Sequence, residues 1–494
     1  MSPSSSGRRE APPLDIAATA YASAKEHGFE PDFGPDVARE VEALRHRVPP
    51  PDSGVRDLRD LVWSSIDDTE SKDLDQIEVA ERLAGGRTKL LVGIADVDAL
   101  VPRGSAIDKH ATGNTTSLYT GVRIFPMLPE ALSTGLTSLN EGQDRLAVVV
   151  EMMVSSDGAV EDFDVYRALV RNHAKLAYDE TSLWLDGKKP IPDAFSRIEG
   201  FEAQLRLQDD VARVFKARRH EQGALDLETI EANSVIRDGV VVGLDLTQKS
   251  RSRDLIEDFM IAANGAMARF LDRRGRSAIR RVVRTPKRWD RIVALAATYG
   301  TKLPAVADPR PLSEFLTAER RRDPERFPDL SLAVVKLLGP GEYALEAPGP
   351  RHTGHFGLAT QDYTHSTAPN RRFADLVTQR LLKATLAGAP PPYDDDELSA
   401  IAAHCTQKEN DARVVERFMR KVSAALFLGP RIGEAFDAIV TGATPDKGTY
   451  VRLVSPPAEG RVIRGEQGLD VGDTLRVKLV GTMPSKGFID FARA

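Results

Sequence analysis

Apolar positions recur at helical spacing in the first fifty residues of the chain. Two such patterns run from Leu14 to Gly28 and from Asp36 to Val48, and a proline run at 49–51 follows the second. Because an isolated short helix buries little surface, its apolar face must pack against another element. We therefore expect these helices to dock on the rest of the chain or to form a small helix-turn-helix.

The long central part of the chain changes from strand-like to helical patterns. Apolar runs typical of strands come first, at Leu90–Ala95 and Ala147–Val150, and long helical patterns follow at Asp254–Leu271 and Arg371–Ala387. Strands followed by helices indicate the α+β class. The pattern predicts one large α+β domain over residues 56–428.

From Ile432 onward, apolar and polar residues alternate with a period of two. Glycine-containing turns separate these short runs, as at Asp446-Lys447-Gly448. Several short strands with such turns predict a small β-barrel of the OB-fold type. The patterns together divide the chain into a disordered tail at 1–13, a helical segment at 14–55, the α+β domain at 56–428 and the barrel at 429–494.

The composition is that of an ordinary globular protein. Of 494 residues, 41% are hydrophobic and 28% are charged, and Cys405 is the single cysteine. A lone cysteine excludes an internal disulfide and fits a reducing compartment. The amino terminus lacks the apolar core of a secretory signal, and no apolar run is long enough to span a bilayer. We therefore expect a cytoplasmic monomer without a membrane partner.

The net charge of −6 argues at first against a nucleic-acid ligand. Basic residues are nevertheless concentrated between Arg269 and Arg291, opposed there by Asp272 and Asp290. A local basic excess can attract a polyanion even on an acidic protein, although such a run can also be a solvated face.

Carboxylates are concentrated in the segment from Ser64 to Ile77. Asp67, Asp73 and Asp75 stand here among apolar neighbours. Grouped carboxylates are electrostatically costly unless cations neutralise them, and their oxygens suit Mg²⁺ or Mn²⁺. An exposed acidic loop is the alternative that composition leaves open.

A second segment with candidate chemistry surrounds Pro369. The proline favours a turn, and Asn370 is a candidate cap for the helix that follows, which predicts Arg371 and Arg372 in its first turn. Arginines oppose the helix dipole there unless an anion such as a phosphate is bound. Pairing of these arginines with Asp375 or Asp362 is the alternative.

Several blocks of the sequence, taken in order, resemble the ribonuclease II and ribonuclease R family, whose catalytic domain is named RNB. The blocks span residues 57–385. They are the acidic segment, Ile94–Val97, Gly104–Asp108, Pro126–Pro129, Leu255–Met260, His355–Leu358 and Pro369–Leu376.

This resemblance implies roles for individual residues. It implies that Asp67, Asp73 and Asp75 are catalytic and bind metal, and that Arg371 grips the scissile phosphate. It further implies substrate binding by Tyr119, Arg372, Glu416 and the barrel residue Tyr450. In the barrel, Phe436 is a second stacking candidate, or a core residue, and the candidates for phosphate contacts are Lys447, Arg452, Arg461, Arg464 and Lys478.

By resemblance, the activity is Mg²⁺-dependent or Mn²⁺-dependent 3′-to-5′ hydrolysis of single-stranded RNA to nucleoside 5′-monophosphates. One departure is Gln76, which stands where the family has a fourth aspartate. An amide ligates through its carbonyl oxygen but carries no charge, so we expect one metal position to be weaker. A catalytically weakened RNA-binding protein is therefore the alternative, and an unrelated metal phosphohydrolase fits the ordered blocks poorly.

Overall fold

The computed structural model describes residues 14–45, 54–196, 198–228, 232–237, 239–246, 249–350, 352–444 and 448–494. Helices and strands are mixed along these ranges, so the predicted α+β class is confirmed. The tail predicted at 1–13 and Lys447 lie outside the described residues. The helices are α1 (Ile16–Glu26), α2 (Pro35–Arg45), α3 (Ala106–Asn114), α4 (Tyr178–Leu185), α5 (Asp193–Ser196), α6 (Phe201–Glu221), α7 (Arg251–Arg273), α8 (Trp289–Thr298), α9 (Pro309–Arg322), α10 (Phe327–Leu338), α11 (Phe373–Leu386) and α12 (Asp395–Leu428).

The strands belong to a central sheet, a carboxy-terminal barrel and three two-stranded ribbons. They are β1 (Arg56–Asp57), β2 (Trp63–Asp67), β3 (Gln76–Arg82), β4 (Thr88–Ala95), β5 (Leu118–Tyr119), β6 (Ile124–Phe125), β7 (Asp144–Val154), β8 (Val160–Ala177), β9 (Ala232–Arg237), β10 (Val240–Leu246), β11 (Ala278–Val282), β12 (Glu342–Glu346), β13 (Ala435–Thr444), β14 (Gly448–Leu453), β15 (Glu459–Arg464), β16 (Thr474–Met483) and β17 (Phe488–Arg493).

The central sheet has the strand order β1-β8-β2-β3-β4-β7, and β8 also pairs with β7. Strand β8 is long enough to do both, because its first part pairs with β7 and its last residues pair with β2. The sheet therefore closes on itself. Strand β2 ends at Asp67 and β3 begins at Gln76, so the loop between them carries the predicted acidic segment to one end of the sheet.

The middle of the sheet is covered by helices, whereas β1 and the first residues of β8 are exposed. The first five residues of β3 are all buried, on both faces of the strand. Helix α6 accounts for part of this burial, because Gln204 and Gln208 of α6 hydrogen-bond to the backbone of β3. Polar residues of β3 therefore lie inside the protein.

The two amino-terminal helices pack on different parts of the chain. Ile16 and Ala20 of α1 join the hydrophobic cluster formed by α12 and the barrel. Val37 and Val41 of α2 join the cluster of the central sheet. The division of the chain into four segments stays a prediction.

The carboxy-terminal strands form a closed barrel with the order β13-β14-β15-β17-β16. Strand β16 pairs with β13 and completes the circle, so the barrel predicted from the alternating pattern is confirmed. Phe436 is 5% exposed and belongs to the barrel core, as the alternative reading of this residue proposed.

Among the residues that the structure describes, no helix has the length and apolar character needed to cross a membrane.

Candidate active site

A cavity of about 660 Å³ opens at the end of the central sheet where β2 ends and β3 begins. Its walls come from the acidic loop, the β5–β6 ribbon, α7 and the turn before α11. A π-helical turn at Ala131–Leu136 contributes one edge, and such turns are frequent at functional sites. The polar residues of the lining include Asp67, Asp68, Glu70, Ser71, Lys72, Asp73, Gln76, Tyr119, Glu130, Tyr178, Arg253 and Arg371.

Asp67 is the last residue of β2, and its carboxylate is held in place locally. Its Oδ1 accepts hydrogen bonds from the backbone N–H of Asp68 at 2.7 Å and from the hydroxyl of Ser71 at 2.8 Å. These two bonds fix the carboxylate at the wall of the cavity.

Asp73 also lines the cavity and is more deeply placed. Burial raises the pKa of its carboxyl group, whereas the guanidinium of Arg371 opposes this effect. The side chain of Tyr119 also lowers the pKa of this carboxyl group. The acidic loop, the β5–β6 ribbon and the arginine turn therefore meet at Asp73.

Asp75 is buried behind the cavity and holds the arginine turn. Its Oδ1 accepts from the backbone N–H of Asn370 at 3.0 Å, and its Oδ2 accepts from Nε of Arg371 at 3.3 Å. Burial raises its pKa to about 7, although Arg371 lowers it. Both oxygens are thus engaged within the protein. A metal-binding role for Asp75 stays a prediction.

Arg371 lies in the turn before α11, with 48% of its side chain exposed. Burial lowers the pKa of this guanidinium, but Tyr119 and the aspartates of the cavity raise it overall. The guanidinium is therefore a fixed positive charge opposite Asp67 and Asp73.

The predicted position of this arginine in the first turn of a helix is wrong, because α11 begins at Phe373. Asp375 keeps the preceding residues in a turn, since its Oδ1 accepts from the backbone N–H of Ala368 at 2.9 Å. The expected cap is also wrong, because the side chain of Asn370 accepts a hydrogen bond from Thr137 instead.

Arg372 faces away from the cavity. Its guanidinium forms a bidentate pair with Asp375, at 2.8 Å and 2.7 Å. The alternative of pairing with Asp375 therefore holds for Arg372. Its role in substrate binding stays a prediction.

Tyr119 and Glu416 are brought together at the mouth of the cavity. The backbone N–H of Tyr119 donates to Oε1 of Glu416, on α12, at 3.1 Å. The ring of Tyr119 is partly exposed, and burial of its hydroxyl raises the pKa to about 12. An aromatic ring in this position can stack on a base.

No group of three His, Cys, Asp or Glu side chains is arranged to hold a metal ion in the described ranges. Mg²⁺ is usually held by one or two carboxylates and completes its shell with water and substrate phosphate. Asp67 and Asp73, which line one cavity, fit that donor set. Gln76 lines the cavity too, and its amide makes a long hydrogen bond of 3.5 Å to the carbonyl of Ile66.

The lining residues that the sequence analysis did not single out include Lys72, Tyr178 and Arg253. Arg253 pairs with Asp68 and lies over the ring of Tyr178, 4.2 Å from its centroid. Arg253 immediately precedes the helix predicted from Asp254. The sequence thus indicated the element that carries Arg253, but not that its side chain lines the cavity. Tyr178 follows a long alternating strand and gave no signal.

The basic stretch from Arg269 to Arg291 is not one solvated face. Arg280 and Arg281 are buried on β11, and Arg281 forms a bidentate pair with Glu409 on α12. The guanidinium of Arg281 therefore connects β11 to α12 inside the protein.

The barrel residues lie outside the lining of the cavity. Tyr450 is 40% exposed on β14, so its ring is accessible. Arg452 is paired with Asp329 of α10 at 3.0 Å. Its guanidinium is therefore not free for the phosphate contact predicted from the sequence.

The closed sheet ends in clustered aspartates opposite an arginine, and a small barrel follows it in the chain. Such a site is suited to bind a cation and a phosphate. The family model for the RNB domain matches residues 55–388. The model for the RNase II-type exonuclease C-terminal S1 domain matches residues 434–494. The chain therefore belongs to the RNB domain family, as its sequence resemblance indicates.

Curated relatives agree with this assignment. Ribonuclease R 1 of Lactococcus lactis is 30% identical over 84% of this chain and 51% of the relative. Ribonuclease R of Thermotoga maritima is 31% identical over 93% of this chain and 68% of the relative. The chain thus spans about half the length of the first relative and about two thirds of the second.

Among solved structures, RNase R of Mycoplasma genitalium in complex with ribose-methylated single-stranded RNA has a similar fold. The TM-score is 0.87 and the identity 24%, over 97% of this chain and 78% of the other.

Proposed function

We propose that this protein is a 3′-to-5′ exoribonuclease that hydrolyses single-stranded RNA to nucleoside 5′-monophosphates. The proposal rests on one observation: Asp67, Asp73 and Arg371 line the same cavity. Carboxylates attract a cation, and an arginine binds a phosphate, so the cavity can take the scissile end of a nucleic acid. Membership of the RNB family supports RNA as the substrate.

Arg371 binds the scissile phosphate and stabilises the negative charge that develops in the transition state. The turn before α11 holds it in advance, through Asp75 and the backbone of Asn370. Donors fixed in this way require no reorganisation during the reaction, which makes their electrostatic contribution large. Tyr119 stacks on a base near the scissile end, and Glu416 positions the backbone of Tyr119.

Asp67 and Asp73 would hold Mg²⁺, or Mn²⁺ in its place, together with the substrate phosphate. When bound, the ion would supply charge neutralisation and a lower pKa for the attacking water. We expect one firmly held ion, because Gln76 carries no charge, and a second that arrives with the substrate.

The barrel binds the RNA strand upstream of the cavity. The exposed ring of Tyr450 and the exposed side chains of Arg461, Arg464 and Lys478 support this part of the proposal. Arg372 contributes through the turn it shares with Arg371. We further propose that the protein acts as a monomer in the cytoplasm, a reducing compartment that its single, free cysteine fits.

The test uses single-stranded RNA labelled at the 3′ end or at the 5′ end, incubated with Mg²⁺ with or without EDTA. We expect the 3′ label to appear at once as a mononucleotide, and the 5′ label to shorten stepwise. EDTA should stop both reactions. RNA binding without release of mononucleotides under Mg²⁺ or Mn²⁺ would contradict the proposal and favour the weakened RNA-binding protein.

A further inference from the structure

A second cavity, with a volume of about 270 Å³, lies between helices α6 and α7 and is called the α6–α7 cavity below. Its lining includes Phe215, Arg219 and Gln222 of α6, and Ile261, Gly265 and Arg269 of α7. These residues are three or four apart, which is the spacing of one face on each helix. Ile256 and Met260 of α7 line the candidate active site and lie on the opposite face of that helix. Helix α7 therefore separates the two cavities.

The polar part of the α6–α7 cavity carries an excess of positive charge. Arg218, Arg219 and Arg269 line it, against the single carboxylate of Asp258. Asp258 pairs with Arg219, and Arg218 pairs with the exposed Asp157. Arg269 forms no ion pair with any residue that the structure describes. A guanidinium without a counter-charge therefore lines the cavity.

The local structure of α7 makes room for the guanidinium of Arg269. This group lies 5.3 Å from the ring centroid of Phe163. A Cβ atom at Gly265, one turn earlier, would lie 3.2 Å from its Nη1. Glycine inside a helix is less favourable than alanine by about 1 kcal/mol, so its presence here fits a need for space beside the arginine. Asp362 influences Arg269 electrostatically but forms no ion pair with it.

Arg219 presents a second donor that is not satisfied within the protein. Its pair with Asp258 leaves Nε buried and without a hydrogen-bond partner. Buried donors in native proteins normally have a partner, so this N–H group points to a ligand with acceptor oxygens. Arginine N–H groups match the oxygens of a phosphate, and two guanidinium groups line this one cavity.

The remaining lining limits the size and chemistry of the ligand. Phe215, Ile261 and Leu358 form an apolar wall, and Gln222 is exposed, so a ligand can enter from solvent. The volume of about 270 Å³ is just below the usual range for small-molecule sites, roughly 300–1,000 Å³. It therefore suits one nucleotide and excludes an oligonucleotide. An apolar wall beside arginines fits a base joined to a phosphate.

We propose that the α6–α7 cavity binds a nucleoside monophosphate, with its phosphate on Arg219 and Arg269 and its base against Phe215 and Ile261. The inference goes beyond the proposed function, because α7 separates this cavity from the candidate active site. Binding here requires neither RNA nor a metal ion.

The test is a calorimetric titration of AMP into the full chain, without RNA and in the presence of EDTA. The protein carries Arg371→Ala, which removes the phosphate contact proposed for the candidate active site. We expect one AMP to bind per chain. Adding Arg269→Gln should weaken AMP binding by at least about tenfold, because a hydrogen bond between charged groups is lost.

The matched control is Arg273→Gln, the same change one turn further along α7. Arg273 also lies over the ring of Phe163, 4.5 Å from its centroid, but it does not line the cavity. This variant should keep the affinity for AMP. An equal loss of affinity in both variants would attribute the effect to the charge of the helix and overturn the inference.

Inorganic phosphate and adenosine test the two halves of the site separately. Each should bind more weakly than AMP, because each contacts only one half of the lining. Arg269→Gln should weaken the binding of phosphate and leave that of adenosine unchanged. The inference is refuted if AMP does not bind, if Arg269→Gln keeps its affinity for AMP, or if phosphate binds as tightly as AMP.

Thermal unfolding shows whether the variants fold. AMP should raise the midpoint of the protein with Arg273→Gln but not of the protein with Arg269→Gln. If Arg269→Gln does not fold, Ala262→Met decides, because the longer side chain enters the cavity from α7 and should abolish AMP binding. Retained binding in Ala262→Met would then overturn the inference. Release of mononucleotides from RNA is measured separately, so either proposal can fail while the other holds.

Discussion

Arg371 and Arg372 are adjacent in the chain but have different surroundings in the fold. Arg372 is committed to a bidentate pair with Asp375, which is fully buried. Arg371 forms an ion pair of 3.3 Å with Asp75 and keeps about half of its side chain exposed in the cavity. The guanidinium that a phosphate can reach in this turn is therefore that of Arg371.

Arg371→Ala tests this assignment at the level of one residue. We expect kcat for mononucleotide release to fall by about 100-fold or more, since removal of one preorganised donor usually costs that much. RNA affinity should change little, because the barrel still binds the strand. Single-turnover kinetics with labelled RNA measure the rate of mononucleotide release, and fluorescence anisotropy measures RNA affinity.

The matched control is Arg87→Ala, which removes an exposed arginine from the turn between β3 and β4. Its kcat should equal that of the wild type. A variant of Arg371 that keeps full kcat would show that another group binds the scissile phosphate.

Asp258 of α7 gives the stability of the protein a defined dependence on pH. Burial raises the pKa of this carboxyl group to about 6, against an ordinary value of 3.8, although its partner Arg219 lowers it. Between these two values the folded protein binds more protons than the unfolded chain. The contribution of Asp258 to the free energy of unfolding therefore decreases as the pH rises from about 4 to about 6.

Asp258→Asn should remove this contribution. The difference in the free energy of unfolding between wild type and variant should change by about 2–3 kcal/mol across that range and be constant above pH 7. Urea denaturation at a series of pH values measures it. Asp162→Asn, at an exposed position of β8, is the control and should keep the wild-type slope. Parallel curves for wild type and Asp258→Asn would contradict the prediction.

The sequence identified Asp67, Asp73, Tyr119 and Arg371 through their motifs, and the structure brings all four to one cavity. The roles assigned to them stay predictions. The burial of Glu78 on β3 gave no such signal, because an alternating strand suggests that its polar residues face solvent. Helix α6 covers that face instead, and which helix covers a sheet depends on contacts far apart in the sequence.

Helix α12 begins with a capping box. The side chain of Asp394 accepts from the backbone N–H of Glu397 at 2.8 Å, and the side chain of Glu397 accepts from the backbone N–H of Asp394 at 3.1 Å. These bonds satisfy two backbone donors at the start of a helix that also carries Glu409 and Glu416.

Asp394→Ala should lower the free energy of unfolding by about 1 kcal/mol, the usual effect of losing a capping side chain. Urea denaturation at neutral pH measures this change. The control is Asp396→Ala, which removes an acidic residue of the same first turn that takes no part in the capping box. If the two variants lose equal stability, the cap contributes nothing beyond charge.

The elements themselves were predicted unevenly. The barrel strands followed from period-two alternation, because each strand has one face toward the barrel core. The start of α11 did not follow from local preferences. Asp375, inside the helix, binds back to Ala368 and Arg372 and keeps the turn before it non-helical. Such a bond depends on side-chain geometry that a sequence pattern does not contain.

At the scale of the whole molecule, the barrel is fixed against the rest of the chain. Arg452 of β14 pairs with Asp329 of α10, and α1 packs in the same hydrophobic cluster as α12 and the barrel. Arg461, Arg464 and Lys478 remain exposed on the barrel. A strand bound there would be held by phosphate contacts that depend on salt.

A triple variant with alanine at Arg461, Arg464 and Lys478 tests whether these side chains contact the phosphates of a bound strand. RNA affinity should fall, and the slope of log K against log salt should decrease by about 2, near 0.7 for each phosphate contact with a single strand. Fluorescence anisotropy between low and moderate salt measures the slope. The kcat at saturating RNA should not change, because the cavity is intact.

The control replaces three exposed basic residues of the α8–α10 region, Lys302, Arg310 and Arg321. It removes the same charge from the protein, so it separates local contacts from net charge. An equal loss of slope in both variants would contradict RNA binding by the barrel.

Helix α12 connects the cavity side of the molecule to the barrel without interruption. Its first half packs in the cluster of the central sheet, through Leu398 and Ala402, and its second half packs with the barrel, through Val415 and Met419. At 1.5 Å per residue, its 34 residues span about 51 Å. Glu416, at the mouth of the cavity, comes 12 residues before Leu428, which packs in the barrel cluster, so this stretch of the helix spans about 18 Å between the proposed active site and the proposed RNA-binding barrel. An RNA too short to reach from one to the other would lose the barrel while its end is still in the cavity. The length of the last oligonucleotide released would then be set by this stretch of α12.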